Sequence, residues 1–376
     1  MKIITISANT SWYLFNFRAS TIRKLRDEGF RVVCLAPDDE YRHKLVSEVG
    51  CEWLPLAMNN KGSNPFQDAG LVWQFFRHYE KLKPAAALHF TIKNNVYGTW
   101  AARSLGIPVI NNISGLGTAF IHRGFVSFVV RLLYRTSQPF AHCIFCQNED
   151  DLAQLVAAKL VPPRLLKLLP GSGVDLNRFR PELNKDHGGS FRFLYAGRML
   201  ADKGLGELIS AVSLLNRTEP RCVLWLSGFS DAGNSSAISN DQLNEWAAQP
   251  WIEWLGPTDH IEKIYANVDC VVLPSYREGM PRSLLEAGAM GRPVVATNVP
   301  GCRHIVEDGF NGLLCEARSS DSLHQAMRRM MNMGTEDRKK MGHNGRTRVA
   351  ERFGEQLVVE TTIEAVKSAI NFSEPN

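Results

Sequence analysis

The 376-residue sequence contains no run of about 18 apolar residues, so we expect no helix that crosses a membrane. Its first residues, MKIITISANTSWYLFNFR, lack the layout of a signal peptide, because the apolar segment starts at once and no small-residue cleavage site follows. Internal repeats and low-complexity tracts are absent as well. We therefore expect a cytoplasmic protein, and its length favours two globular domains.

Motifs for metals and dinucleotides are equally scarce. Of the eight cysteines, only Cys143 and Cys146 form a C-x-x-C pair, and neither a second pair nor clustered histidines accompany it. A buried strand therefore explains this pair better than a zinc site does. No glycine precedes Gly29, which argues against a G-x-G-x-x-G dinucleotide motif after the first strand.

The net charge of +5 is distributed unevenly along the chain. Residues 1–180 hold 22 Lys and Arg against 13 Asp and Glu, a net charge of +9, whereas residues 181–376 hold 21 against 25, a net charge of −4. The basic first half suits an anionic partner, such as lipid headgroups or a phosphorylated acceptor, and equally a plain soluble surface. Because no recognition motif accompanies the charge, nucleic acid is not expected as a partner.

Short apolar runs alternate with longer mixed segments in both halves of the chain. Runs such as KIITIS, FRVVCLA, FRFLYAG and DCVVLPS are nearly continuous in apolar residues, as strands covered on both faces are. The alternation predicts an α/β fold of two doubly wound, Rossmann-like domains that face each other across a cleft. A polar, glycine-rich linker at 184–190 separates residues 1–183 from residues 184–354. Residues 355–376 are assigned to a last helix that crosses back to the first domain.

Two acidic residues stand out in REGMPRSLLEAGAMG, which consists mostly of glycine, proline and small or apolar residues. The segment predicts a loop followed by a helix that starts at Pro281, whose missing N–H suits a first helical turn. Glu278 then lies in the loop and Glu286 on the helix. The N–H groups of Gly279 and Met280 lie at a helix start, which suits a phosphate.

Carboxylates in such a segment need partners, so we expect Glu278 and Glu286 either to face solvent or to accept hydrogen bonds from ligand hydroxyls. An acid that only stabilises the start of a helix would explain Glu278 alone.

Two cations follow the strand FRFLYAG in the segment GRMLADKGL. The strand ends at Gly197, Arg198 follows at its carboxyl end, and Lys203 opens the next helix. Ligands of doubly wound sheets bind beyond these strand ends, and both cations suit a diphosphate. Each alone would be an ordinary surface charge. Their combination with the two glutamates in the same half favours a binding site.

These segments resemble the family 4 retaining glycosyltransferases of GT-B fold. The resemblance lies in GRMLADKGLGELISA and in YREGMPRSLLEAGAMGRPVVATNVPGCRHIVEDGFNGLL. Upstream, NISGLGTAF, CQNEDDL and LPGSGVDLNRFRP are similar to the family branch that assembles capsules, O-antigens and lipid-linked oligosaccharides. The resemblance covers nearly the whole chain.

The resemblance implies a catalytic set in the C-terminal domain. Arg198 and Lys203 would neutralise the diphosphate leaving group of a nucleotide-sugar donor, and Glu278 would hold hydroxyls of the transferred sugar. Glu286 would hold the ribose hydroxyls. The family retains the anomeric configuration and commonly needs no metal, and the sequence has no Asp-x-Asp motif to hold one. No cofactor is expected, since the UDP-sugar is a donor substrate.

The other donor-binding candidates adjoin these four residues in the sequence. They are Gly197, Gly279, Met280 and Pro281.

The acceptor-side candidates lie in the first domain, where the sequence departs from the family. Many members have a histidine in the GLG segment, whereas this chain has Ser114 before Gly115. Many also have a glycine pair in the loop after the first strand, which we take here to be ANTSWYLFNFR and from which Asn9 would line the cleft. His89 and His122 are further acceptor-side candidates, although a lone histidine is more often structural.

The stretch FIHRGFVSFVVRLLYR combines apolar residues with arginines. It predicts either a helix that contacts an anionic membrane surface or a helix packed on the first sheet.

Together these features predict an enzyme. It would transfer a hexose or N-acetylhexosamine from a UDP-sugar to a polyprenyl-diphosphate-linked saccharide, as a peripheral protein on the inner face of the cytoplasmic membrane. The alternatives are a sugar-nucleotide epimerase or hydrolase of the same fold, and a non-catalytic subunit that binds a nucleotide sugar within a membrane assembly.

Overall fold

The computed structural model describes residues 1–58, 65–116, 125–181, 189–217, 222–230, 234 and 236–373. The described chain divides into two compact units. Unit 1 comprises Met1–Ser172 and Glu355–Asn376, and unit 2 comprises Gly173–Gly354. The division thus falls between Ser172 and Gly173, before the linker that the sequence places at 184–190.

Unit 1 is built on a parallel sheet of seven strands. The strands are β1 (Ile3–Ser7), β2 (Arg31–Ala36), β3 (Glu52–Pro55), β4 (Ala86–Phe90), β5 (Val109–Ile113), β6 (Cys143–Cys146) and β7 (Leu166–Leu168). Their order in the sheet is β3-β2-β1-β4-β5-β6-β7, and every pairing is parallel. Cys143 and Cys146 belong to a buried strand, as the sequence predicts.

The helices of unit 1 cover both faces of this sheet. They are α1 (Ser11–Asp27), α2 (Tyr41–Lys44), α3 (Pro65–Leu82), α4 (Thr99–Ser104), α5 (Phe125–Ser137), α6 (Glu149–Ala157) and, from the end of the chain, α14 (Glu355–Ser373). Neighbouring residues of β2 show why the strands are apolar throughout, because Val32 and Cys34 enter one core and Val33 and Leu35 enter the other.

Unit 2 is built on a parallel sheet of six strands. The strands are β8 (Phe191–Ala196), β9 (Cys222–Ser227), β10 (Ile252–Gly256), β11 (Cys270–Leu273), β12 (Val294–Thr297) and β13 (Gly312–Cys315). Their order is β10-β9-β8-β11-β12-β13. The helices are α7 (Leu205–Leu215), α8 (Asn240–Ala247), α9 (Ile261–Tyr265), α10 (Arg282–Ala289), α11 (Cys302–Ile305), α12 (Ser320–Asn332) and α13 (Thr335–Arg352). The predicted fold class of two parallel, Rossmann-like α/β units is confirmed.

Helix α1 begins earlier than the sequence suggests. The predicted loop ANTSWYLFNFR is wrong, because only Ala8, Asn9 and Thr10 separate β1 from α1. Thr10 is the N-cap, and its hydroxyl accepts a hydrogen bond of 3.0 Å from the N–H of Tyr13. At the other end, Gly29 adopts a φ of +84°, as expected of a residue that terminates a helix.

Among the described helices, none combines the length and the apolar character required to span a bilayer.

Candidate functional site

The loop after β8 carries the predicted cations of unit 2. Gly197 and Arg198 directly follow the strand and are exposed, and a short helical turn, Ala201–Lys203, ends at Lys203. The hydroxyl of the buried Tyr195 donates a 2.7 Å hydrogen bond to the carbonyl oxygen of Arg198. The loop is therefore held to the end of its own strand.

The loop after β11 brings Glu278 to this turn. Lys203 Nζ donates to Glu278 Oε1, and the two side chains are only 19% and 13% exposed. Ser275 Oγ, which is fully buried, donates to the same oxygen at 2.7 Å. The pair is thus assembled before any ligand arrives, with one fixed hydroxyl as its support.

Two glycines allow the loops to approach so closely. Gly204 follows Lys203 with a φ of +71°, and a Cβ there would lie 2.2 Å from the carbonyl oxygen of Pro274. Gly301 has a φ of +84°, and a Cβ there would lie 2.7 Å from the carbonyl oxygen of Glu278. Both positions combine a left-handed backbone with a close backbone contact, so they require glycine.

The charge of Arg198 acts on the same tyrosine as the charge of Glu278. The pKa of Tyr195 is raised above its usual value, first by burial and then by the negative charge of Glu278, and Arg198 opposes this rise. The pKa of the Tyr195 hydroxyl therefore depends on both charges. Arg198 thus acts on the same buried hydroxyl as Glu278, the partner of Lys203.

Glu286 lies on α10, where its partners differ from those of Glu278. Pro281 is the N-cap of this helix, which begins at Arg282, one residue after the predicted start. Arg282 Nε donates to Glu286 Oε1 at 2.8 Å, and the hydroxyl of the buried Tyr265 donates to Glu286 Oε2 at 3.1 Å. Gly279 and Met280 are partly exposed in the loop that joins Glu278 to this helix.

Both carboxylates therefore have partners within the protein, an arrangement that the sequence prediction missed. It considered solvent and ligand hydroxyls as partners, whereas Lys203 and Arg282 supply them. Arg282 precedes Glu286 by four residues, a helical spacing that would have indicated the second pair. No sequence pattern indicated Tyr265 or Ser275.

The arrangement suits a polar, anionic ligand that carries hydroxyl groups. Ammonium and guanidinium groups bind phosphate oxygens, and carboxylates held by neighbouring donors still offer lone pairs to sugar hydroxyls. Since the two ion pairs, Lys203–Glu278 and Arg282–Glu286, are mostly buried and fixed, they need little rearrangement when a charge develops on a ligand.

In unit 1 the structure brings three predicted residues into one cavity. Asn9, Ser114 and Gly115 line a space of about 280 Å³. Lys93 and Asn95, which the sequence prediction did not include, line the same cavity. Their positions after β4 match the rule that ligands bind beyond the carboxyl ends of parallel strands, and that rule could have indicated them.

His89 does not lie with these residues. It is fully buried in β4, where Nδ1 donates to Asn111 Oδ1 at 2.9 Å and Nε2 accepts from the Tyr79 hydroxyl at 2.7 Å. Burial lowers the pKa of His89 to about 4, so the imidazole is neutral near pH 7. As an acceptor-side candidate His89 is therefore wrong, because no surface of its ring is accessible. His122 lies outside the described residues.

Comparison with known families covers both units. The family "Glycosyl transferases group 1" matches residues 177–348, and the family "Glycosyl transferase 4-like domain" matches residues 17–171. The first match contains every donor-side candidate in unit 2, and the second contains Ser114, Gly115 and α5.

Two curated bacterial relatives align with the chain. The N,N'-diacetylbacillosaminyl-diphospho-undecaprenol α-1,3-N-acetylgalactosaminyltransferase of Campylobacter jejuni is 28% identical over 334 residues, which are 83% of this chain and 85% of that protein. The UDP-Gal:α-D-GlcNAc-diphosphoundecaprenol α-1,3-galactosyltransferase of Escherichia coli is 27% identical over 250 residues, 63% of this chain and 64% of that protein.

A solved structure shares the fold. The crystal structure of Anabaena Alr3699/HepE in complex with UDP and glucose superposes with a TM-score of 0.79 at 18% identity, covering 98% of this chain and 100% of that one. At this level of identity the likeness concerns the fold alone.

Proposed function

Since the chain is a glycosyltransferase of group 1 with the two-unit GT-B fold, we propose that it transfers a hexose or N-acetylhexosamine from a UDP-sugar to a polyprenyl-diphosphate-linked saccharide. The transfer retains the anomeric configuration of the donor and needs no metal ion. The two curated relatives support the choice of substrates, because both names give a diphospho-undecaprenol acceptor and one gives a UDP-sugar donor.

The preassembled contact between Lys203 and Glu278 is the observation that carries this proposal. In the proposed reaction, negative charge grows on the departing diphosphate, and Lys203 and Arg198 stabilise it. A fixed, mostly buried cation such as Lys203 lowers such a barrier by on the order of 3 to 4 kcal/mol, and the exposed Arg198 adds a second positive charge at the strand end. Glu278 holds hydroxyls of the sugar and keeps the Lys203 ammonium in place.

Most of the remaining proposed donor contacts are made by residues of α10 and of the loop that precedes it. Glu286, fixed by Arg282 and Tyr265, accepts hydrogen bonds from the ribose hydroxyls. The backbone of Gly279 and Met280 lies next to Glu278, and Pro281 sets the direction in which the helix begins. Gly197 leaves room beside the diphosphate because it has no side chain.

Unit 1 is proposed to bind the acceptor, and unit 2 the donor. The cavity lined by Asn9, Ser114 and Gly115 offers polar groups for a saccharide. We further propose that α5 contacts an anionic membrane surface on the cytoplasmic side, because Phe128 and Leu132 are 64% and 50% exposed one helical turn apart. The helix also carries exposed positive charge at Arg135.

The test is a transfer assay with purified protein, a panel of UDP-, GDP- and ADP-sugars and undecaprenyl-diphosphate-linked saccharides. We expect a glycosylated lipid from a UDP-sugar, in the α configuration when the donor is α, at a rate that EDTA does not change. Conversion of the donor without acceptor would instead indicate an epimerase or hydrolase. Donor binding without turnover on any acceptor in the panel would contradict the proposed transfer.

A further inference from the structure

Arg18 is a buried cation to which the proposed reaction assigns no role. Its side chain projects from α1 and is 2% exposed, with the guanidinium carbon 4.2 Å from the ring centroid of Phe90. Within the described residues it forms no ion pair with a carboxylate, and its Nε has no hydrogen-bond partner. This contact and a second one, at 5.9 Å from the ring centroid of Tyr13, offset only part of the cost of burying such a charge, so a counter-charge is expected nearby.

A chain of hydrogen bonds leads from Arg18 to the cavity of unit 1. Arg18 Nη2 donates to the Tyr13 hydroxyl at 3.3 Å, and this hydroxyl lies 3.3 Å from Ser114 Oγ. Since the arginine can only donate, it occupies a lone pair of Tyr13 and favours donation by Tyr13 to Ser114. The proton of Ser114, an exposed residue that lines the cavity, is then available to a ligand.

Lys93, which lines the cavity, is a cation that already has an acidic partner. Lys93 Nζ donates to Asp68 Oδ1 at 2.8 Å, and Tyr97 donates to the second oxygen of Asp68 at 2.8 Å. No acid in the described part of the chain pairs with Arg18 in this way, so its positive charge behind Ser114 is not balanced by an ion pair there.

We propose that the cavity beside Ser114 takes a phosphate ester and that Arg18 is a positioning residue for it, acting through Tyr13 and Ser114. This inference rests on the proposed function, whose two substrates both contain a diphosphate. The Ser114 hydroxyl donates to a phosphate oxygen, and the charge of Arg18 orients the chain of hydroxyls toward the cavity. No covalent step is involved.

Binding of two probes tests the proposal and identifies the source of the phosphate. Geranyl diphosphate stands for the lipid-linked acceptor and UDP for the donor, and each is titrated calorimetrically into the intact wild-type protein and into Arg18→Gln, Arg18→Lys and Tyr13→Phe. Arg23→Gln serves as the matched control, because Arg23 is an exposed arginine on the same helix.

We expect Arg18→Gln and Tyr13→Phe to weaken binding of one probe about tenfold, Arg18→Lys to restore part of the affinity, and Arg23→Gln to leave it unchanged. Loss for geranyl diphosphate alone assigns the site to the acceptor, and loss for UDP alone assigns it to the donor. If Arg18→Gln does not fold, the affinity of Tyr13→Phe for the two probes tests the proposal instead.

The proposal is overturned if the folded variants bind both probes as tightly as the wild type does. It is also overturned if Arg23→Gln causes an equal loss, or if the wild type binds neither probe at millimolar concentration. Because the readout is binding, the result is independent of whether the transfer assay succeeds.

Discussion

Lys203 and Glu278 are 75 residues apart in the sequence, yet each is the partner of the other in the folded chain. Burying either one alone would cost several kcal/mol, whereas the pair with the Ser275 hydroxyl satisfies both charges. The sequence indicated that both residues belong to one site, because both follow strands of the same sheet. It could not indicate that they touch, since contact depends on loop geometry and on Gly204 and Gly301.

Tyr265 is expected to contribute to donor binding through Glu286. In Tyr265→Phe the carboxylate loses its buried hydroxyl donor but keeps Arg282, so its position loosens without being lost. We expect the KM for the UDP-sugar to rise about three- to tenfold with a smaller change in kcat. Steady-state kinetics measures both values. Tyr79→Phe, which removes a buried tyrosine hydroxyl from unit 1, is the control and should leave the donor KM unchanged.

His89 predicts a pH dependence of stability. Its pKa is about 4 in the folded protein against about 6.5 for an unperturbed histidine, so the unfolded chain takes up the proton first as the pH falls. The stability that depends on neutral His89 is complete above pH 6.5 and is lost progressively between pH 6.5 and 4, by about 2 kcal/mol at pH 5. Urea unfolding of the wild type and His89→Gln at pH 7.5 and 5 measures this loss.

The pH-dependent loss should shrink in His89→Gln and persist in the control His343→Gln, which removes an exposed histidine from α13. An identical loss between the two pH values in wild type and His89→Gln would show that other groups are responsible.

At the scale of elements, Gly204 in the turn before α7 should not tolerate substitution, whereas Gly206 in the first turn of α7 should. Gly204→Ala places a Cβ against the Pro274 carbonyl in a left-handed conformation, whereas a Cβ at Gly206 meets nothing within 4 Å. We expect Gly204→Ala to cost at least about 2 kcal/mol of stability and to lower turnover by displacing Lys203. Gly206→Ala should be neutral or stabilising by up to about 1 kcal/mol.

Thermal unfolding and transfer rates of the two alanine variants provide the comparison. Equal melting temperatures for Gly204→Ala and Gly206→Ala would mean that the close approach of the turn to β11 carries no strain.

The beginning of α1 shows why some elements are harder to predict than others. Apolar strands such as β2 are recognisable because both faces are buried, which leaves a continuous apolar run. Trp12 and Tyr13 follow closely after a strand end and precede the clearer helical pattern, so the sequence predicts a loop there. The N-cap bond from Tyr13 to Thr10 determines the start of the helix instead, and a threonine before an aromatic pair is a weak signal.

For the whole molecule, the two-unit α/β architecture follows from the sequence, because strand–helix alternation is repeated over its length. The donor-side candidates could also be predicted from the sequence, because they cluster after the carboxyl ends of strands in one unit. The cavity of unit 1 was harder to predict. Asn9 follows β1, whereas Lys93, Asn95 and Ser114 follow β4 and β5, and β1 is next to β4 only in the sheet order. His89 looked functional because burial cannot be judged from one strand.

The central claim is that the contact between Lys203 and Glu278 acts on the donor diphosphate and sugar. The most direct measurement is kcat in the transfer assay for Lys203→Met, Glu278→Gln and the double variant, with the exposed Glu253→Gln of β10 as control. We predict a loss of at least about a hundredfold for each single variant, little further loss in the double variant, and none in the control. Folded single variants that turn over at nearly the wild-type rate would contradict the claim.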